Sequence, residues 1–317
     1  MQLIIAEVPD SPARTTEPTR RPVTVGLVQT RWHDNPDEHA AVLADGIRTA
    51  AGAGASVVFL PELTLSRYPA DTRPEGDATA TAEELDGGPT YSFAAKAAAD
   101  SGVAVHASLF ERSAGPDAPD GLGYNTAILI APDGSLLGRT RKLHIPVSAG
   151  YYEDHYFRGG PAEPNPYPVV DLPGADGATV ARLGLPTCWD QWFPEVARAY
   201  SLGGAEVLAY PTAIGSEPDH PRFDTQPLWR QVIVGNGIAN GTFMVVANRW
   251  GDEGLVTFYG SSFISDPYGR VLVSAPRADD AVLVAPLDLE QRQDWLALFP
   301  LLATRRPDTY RSLADEA

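Results

Sequence analysis

Short, uninterrupted apolar runs alternate along this chain with longer stretches whose apolar positions recur at helical spacing. VTVGLVQT and SVVFLPEL are runs of the first kind, the pattern of strands covered on both faces. Between them, NPDEHAAVLADGIRTAAGAG is amphipathic and closes on glycine, which predicts a helix. A polar loop at 71–88, a helix in PTYSFAAKAAADSG, the strand VAVHASLFE and a Gly/Pro/Asp loop at 114–123 follow. YNTAILIAPDGSLLGRTRK reads as a β-hairpin turning at PDG. Then come YPVVDL, the apolar segment ARLGLPT, a helix beginning near WFPEVARAY, and the strand EVLAYP. The last third repeats the style, with a helix in PLWRQVIVGNGIANG and then TFMVVANRW, SSFISDPYGRVLVSA and AVLVAPLDL as strands.

These strands outnumber what one sheet comfortably takes, and consecutive antiparallel strands are mixed with strand–helix units. The pattern predicts an α/β fold of two stacked sheets with helices outside. A chain of 317 residues with 44% hydrophobic content can bury one large core without disulfides. Residues 1–21, rich in Pro, Thr and Arg, are expected to be loosely ordered or packed on another subunit. The domain is then expected over 22–303, with a tail at 304–317.

Composition removes several function classes. The formal charge of −17 argues against nucleic acid or an anionic membrane as partner. The start carries no signal-peptide pattern, and no apolar run approaches the ~18 residues of a membrane span. A single cysteine excludes an internal disulfide and fits a reducing, cytoplasmic compartment. Neither GxGxxG nor GxxxxGK[ST] occurs with suitable flanks, so no nucleotide cofactor is expected. The six histidines (His33, His39, His106, His144, His155, His220) form no HExxH pattern, and no metal is expected.

Two scarcities point to chemistry. Cys188, the single cysteine, lies where ARLGLPT meets the predicted helix. A thiol at a strand-to-helix turn stands near the positive end of a helix dipole, which lowers its pKa and favours the nucleophilic thiolate. Taken alone, such a cysteine is more often a small buried hydrophobe. Only two lysines occur, Lys96 and Lys142. Lys96 falls on a polar helix position, whereas Lys142 closes a strand in which arginine is used freely at 139 and 141. Lysine offers a compact ammonium that points at one oxygen. Glu62 follows the apolar run SVVFLP directly, and burial there equips a carboxylate as a general base. Glu153 lies among aromatics in GYYEDHYF. His144 and His155 flank this region as possible thiol partners, with a structural role in a turn the stronger reading.

Four of these segments together resemble the carbon–nitrogen hydrolases of the nitrilase superfamily: FLPELTLSRY, GRTRKLHIP, GYYEDHYFRGG and CWDQWFPEVARAYSLGGAEVLAYPTAIGSEP. NRWG, GSSFISDPYGRVL and RRPDTY add to the match, which runs over roughly 22 to 311. CWDQW and the GYYE loop are similar to the N-carbamoylputrescine amidase branch. The resemblance implies a four-layer αββα sandwich, usually paired as a homodimer, with the C-terminal tail at the subunit interface and no cofactor. It also implies Cys188 as nucleophile, Glu62 as general base, Lys142 with the Trp189 N–H at the oxyanion, and Glu153 holding Lys142 and the substrate amide.

The implied substrate is a small amide or carbamoyl compound. Relatives acting on N-carbamoyl amino acids tend to carry arginine just after the cysteine, a clamp for a carboxylate. Here Trp189, Asp190, Gln191 and Trp192 follow, which favours an N-carbamoyl amine, hydrolysed to ammonia, CO2 and the amine. An aliphatic amidase, a β-ureidopropionase-like hydrolase, a nitrilase and an inactive scaffold are the alternatives. Asn236 and Trp250 depart from the branch pattern at positions expected, like Trp189, to line the substrate pocket.

Overall fold

The computed structural model describes residues 1–113 and 120–314. Part of the predicted loop at 114–123, residues 114–119, lies outside the described residues, as do 315–317 of the expected tail. The two expected sheets are present. The first comprises β1 (Gln2–Ile5), β2 (Val23–Gln29), β3 (Val57–Phe59), β4 (Ala104–Glu111), β5 (Tyr124–Ile130), β6 (Leu136–Arg141) and β15 (Ala281–Leu287). Its order is β1-β15-β2-β3-β4-β5-β6. The second comprises β7 (Val169–Pro173), β8 (Thr179–Gly184), β9 (Val207–Thr212), β10 (Phe243–Asn248), β13 (Phe263–Ser265) and β14 (Val271–Ser274). There the order is β14-β13-β10-β9-β8-β7.

Three apolar layers bind these sheets to each other and to their helices. Val25, Leu27 and Phe59 of the first sheet meet Leu183, Val207 and Val245 of the second in the central layer. On the outer face of the first sheet, α1 (Pro36–Gly52) and α2 (Pro89–Ser101) bury Leu43, Ile47, Ala94 and Ala98 against Val28, Val58 and Val105. On the outer face of the second, α3 (Pro194–Leu202) and α4 (Gln226–Asn240) bury Val196, Tyr200, Trp229 and Ile233 against Leu208, Met244 and Phe263. The result is an αββα sandwich. The helix α1 starts where the Asn35 side chain accepts from the N–H groups of Asp37 and Glu38, at 2.9 and 3.1 Å, with Pro36 behind it. It packs so closely on β2 that a Cβ at Gly26 would come within 2.6 Å of that of Ala50.

Two departures from the expected pattern have physical causes. Residues 1–21, read as a loosely ordered extension, begin with β1, which pairs in parallel with β15 at the sheet edge. The segment after it is tied down by charge: Arg14 pairs with Asp288 and Asp294, and Arg20 with Glu206. The run TFMVVANRW is not one strand. The strand β10 ends at Asn248, Arg249 turns into the interior, and β11 (Trp250–Asp252) pairs separately with β12 (Thr257–Tyr259). No helix among the described residues is long and apolar enough to cross a membrane.

The central layer contains one polar misfit. His106 is fully buried beside Phe59, ring centroids 5.3 Å apart, and neither ring nitrogen has a partner among the described residues. Burial pushes its pKa down to about 3, and that of His39 down to about 4. Both rings bind protons more readily in the unfolded chain, so stability falls as pH drops below about 6.5. His106→Leu is expected to raise stability at pH 7 by on the order of 1 kcal/mol. It should also remove about 1.4 kcal/mol per pH unit of acid loss between pH 6.5 and 4. Urea unfolding at pH 5 and 7 tests this, and an unchanged pH slope would refute it.

Candidate active site

The loops leaving one end of both sheets converge on a buried cluster of charge. Glu62 lies three residues beyond β3, Lys142 directly after β6, Glu153 on a short 3-10 turn (Glu153–His155), and Cys188 four residues beyond β8. Strand ends in α/β folds are where such groups gather, because the sheet fixes the backbone while the loops stay free to vary. Glu62 and Lys142 have no solvent exposure, Glu153 is 1% exposed and Cys188 4%.

Lys142 is the hub. Its Nζ donates to Glu62 Oε1 at 2.9 Å and to Glu153 Oε2 at 2.6 Å. Glu62 Oε1 also accepts from Asn125 Nδ2 at 2.8 Å, and Glu153 Oε1 from the Tyr68 hydroxyl at 2.8 Å. Glu62 Oε2 has no hydrogen-bond partner among the described residues. Burial alone would lower the pKa of Lys142, but Glu153 and Glu62 outweigh it and the ammonium stays charged. Burial lifts Glu153 to about 7 against the pull of Lys142, with Glu62 adding to the rise.

The thiol behaves differently from the sequence expectation. Cys188 opens a five-residue 3-10 turn (Cys188–Trp192), and α3 begins only at Pro194. It is therefore not at the end of a long helix dipole. Burial, then the field of Glu62, pushes its pKa well above the ordinary thiol value, against Lys142 and a hydrogen bond from the Ala213 backbone. The resting thiol is neutral.

Beside the cluster opens a cavity of about 470 Å³. Cys188 and Glu153 lie at its wall, with Trp189, Trp192, Phe223 and Leu228 giving an apolar surround. Its other ionisable lining groups are Tyr151, Glu217 and His220, and no lysine or arginine lines it among the described residues. Burial raises the pKa of Glu217, partly offset by a hydrogen bond from Thr225 at 3.3 Å.

Of the three residues expected at the substrate, only Trp189 lines this cavity. Asn236 is buried behind the Cys188–Trp192 turn, where its Nδ2 donates to the Gln191 carbonyl at 2.9 Å. Trp250 is not in the lining, and its indole N–H donates to Asp280 at 2.8 Å. His144 does not reach the thiol either. It bonds Asp190 at 2.8 Å and stacks on Phe193 at 3.6 Å. His155 sits against Arg73 at 3.2 Å. Asp190 in turn accepts from the N–H groups of Thr187, Leu143 and His144, joining the cysteine turn to the lysine strand. Among the described residues no group of three or more His, Cys, Asp or Glu is gathered as a metal site.

Sequence comparison agrees with this geometry. The carbon-nitrogen hydrolase family model matches residues 24–297. The chain belongs to the carbon–nitrogen hydrolase family. It is an enzyme of amide or carbamoyl C–N bonds acting on small molecules. An N-carbamoylputrescine amidase of Arabidopsis thaliana is 36% identical over 315 residues, covering 94% of this chain and 97% of that one. A citrullinase of Francisella tularensis is 36% identical over 293 residues, covering 91% and 96%. The crystal structure of a carbon–nitrogen hydrolase from Helicobacter pylori superposes with a TM-score of 0.77 at 30% identity, covering 94% of this chain and 99% of that one.

Proposed function

We propose that this hydrolase acts on an N-carbamoyl amine with a cationic tail, of the N-carbamoylputrescine type. In this reading Glu62 takes the Cys188 proton as the sulfur attacks the carbamoyl carbon. Lys142 and the Trp189 N–H stabilise the oxyanion, while Glu153 holds Lys142 in place. Ammonia leaves with the proton from Glu62, giving an S-carbamoyl enzyme. Water activated by Glu62 then releases the N-carboxylated amine, which breaks down to CO2 and the free amine.

The observation that carries the substrate class is Glu217, a carboxylate on an otherwise largely apolar wall with no lysine or arginine among the described lining residues. An ammonium at the end of a four-carbon chain complements it, whereas a substrate carboxylate would face Glu217 and meet no lysine or arginine among the described lining residues. The two named relatives support a carbamoyl group at the reacting end. Glu217→Gln is expected to raise KM for N-carbamoylputrescine about 10- to 100-fold, the worth of a hydrogen bond to a charged group. Activity on uncharged N-butylurea should barely change. Steady-state ammonia release from these two, citrulline and N-carbamoyl-β-alanine tests the reading, and a preference for the anionic substrate would overturn it.

A further inference from the structure

Next to the site, the turn between β10 and β12 carries a buried ion pair that the proposed chemistry does not consume. Arg249 Nη1 donates to both oxygens of Glu253, at 2.8 and 2.9 Å, and the two side chains are only 4% and 2% exposed. We infer that this pair is the positioning unit of both active-site carboxylates, setting Glu62 through its backbone and Glu153 through Tyr68. The inference rests on the reaction proposed above.

The first arm runs through the arginine. Its Nη2 donates to the carbonyls of Glu62, Leu63 and Ser66, at 2.7, 3.1 and 3.1 Å. These belong to the loop that presents the base. Leu63, the next residue, has φ +49, a left-handed conformation that costs a residue with a side chain and persists only where its surroundings impose it. Three carbonyls drawn to one guanidinium group supply that constraint. The second arm runs through the glutamate. Glu253 Oε2 accepts the Tyr68 N–H at 2.9 Å, and the hydroxyl of the same tyrosine donates to Glu153 at 2.8 Å. Arg67 closes the arrangement by donating to the Glu253 carbonyl and pairing with Asp71 at 2.6 Å.

A pair built for stability alone would not need this distribution of donors. Among the described residues, the hydrogen bonds of the two charged ends, apart from the pair itself, go to main-chain atoms of 62–68, while the guanidinium lies over the Phe258 ring at 5.6 Å. Lysine cannot replace the arginine, because a single ammonium cannot serve a carboxylate with two bonds and three carbonyls at once. The expected consequence of loosening the pair is a displaced base, not a lost pocket.

The test is Arg249→Lys in the full-length enzyme, with Glu253→Gln and Tyr68→Phe beside it. Three quantities are read: the pH dependence of Cys188 alkylation by iodoacetamide, followed by intact mass, then kcat and KM, and the melting temperature. Arg249→Lys is expected to lower kcat about 100-fold with KM changed less than about threefold. Alkylation at pH 7 should slow about tenfold and its profile should move to higher pH. Glu253→Gln should change both in the same direction, and Tyr68→Phe should give a smaller loss of kcat. An alkylation profile that superposes on the parent's in folded Arg249→Lys overturns the inference, whatever the melting temperature. If that variant does not fold, Glu253→Gln and Tyr68→Phe carry the same two outcomes. A parent enzyme inert toward every carbamoyl and amide substrate would sink the functional reading instead, while the alkylation profiles still decide the role of the pair.

Discussion

Cys188→Ser is expected to lower ammonia release by about 10⁴-fold or more, the scale on which loss of a covalent nucleophile is felt. The reason lies in the environment of the sulfur. Burial and the fields of Glu62 and Glu153 hold the thiol neutral, against Lys142 and the Ala213 backbone, which favour the anion. A thiol is still acidic enough to pass its proton to an adjacent carboxylate as it attacks, whereas a hydroxyl in the same place is far less acidic and a weaker nucleophile. The serine variant should fold and bind substrate normally, since the exchange hardly alters volume. Ammonia release together with intact-mass detection of an acylated enzyme checks the prediction. A serine variant retaining more than about a hundredth of the parental kcat, with no acyl mass on the variant, would show that Cys188 is not the nucleophile.

How far the site was legible from sequence differs residue by residue. Glu62 and Cys188 each follow an apolar strand, and Lys142 is one of two lysines in a chain that otherwise uses arginine. Local patterns of this kind survive folding because strand ends are local facts. Asn125 also left a trace, as a polar residue near the start of the apolar strand YNTAILI. Its partner Glu62 is 63 residues away, and only the sheet brings the two together. Asn236 and Trp250 failed for another reason. Motif correspondence places a residue near a site but does not say which way its side chain points, and both point to backbone or acid groups outside the cavity.

The same limit explains Glu217 and β1. Glu217 is one acidic residue among many in a chain of net charge −17, and nothing local distinguishes it. Its setting does: a largely apolar wall and a cavity without lysine or arginine among the described residues. The strand β1 was missed because its partner β15 lies at the other end of the chain, and a short apolar patch has no periodicity to announce such pairing. Arg249 combines both difficulties. Its run reads as one continuous strand, and the interruption appears only when the guanidinium is seen to take carbonyls from a loop more than 180 residues earlier.

Lys142→Met is expected to damage stability and catalysis together, with a pH dependence that separates the two. Lys142 has no exposure, and its ammonium is the only cation hydrogen-bonded to Glu62 and Glu153 among the described residues. Removing one partner from a buried charge cluster costs about 3–5 kcal/mol, because the remaining charges are left uncompensated. In the variant Glu153 loses its cation and still faces Glu62, so its folded-state pKa, already lifted to about 7, rises further above that of the unfolded chain. A carboxyl group raised in this way contributes its full stability below the unfolded pKa, near 4.3, and loses it as pH rises through the folded value. The gap between Lys142→Met and the parent should therefore be small at pH 5 and widest at pH 8, as measured by urea unfolding. Catalysis should fall by about 10²- to 10³-fold even at pH 5.5, where the variant is folded, because the oxyanion loses its ammonium. Lys142→Arg, which restores the charge but not the compact ammonium, should recover stability more than kcat. Equal losses at pH 5 and pH 8 would show that Lys142 does not offset the charge of Glu153 in this cluster.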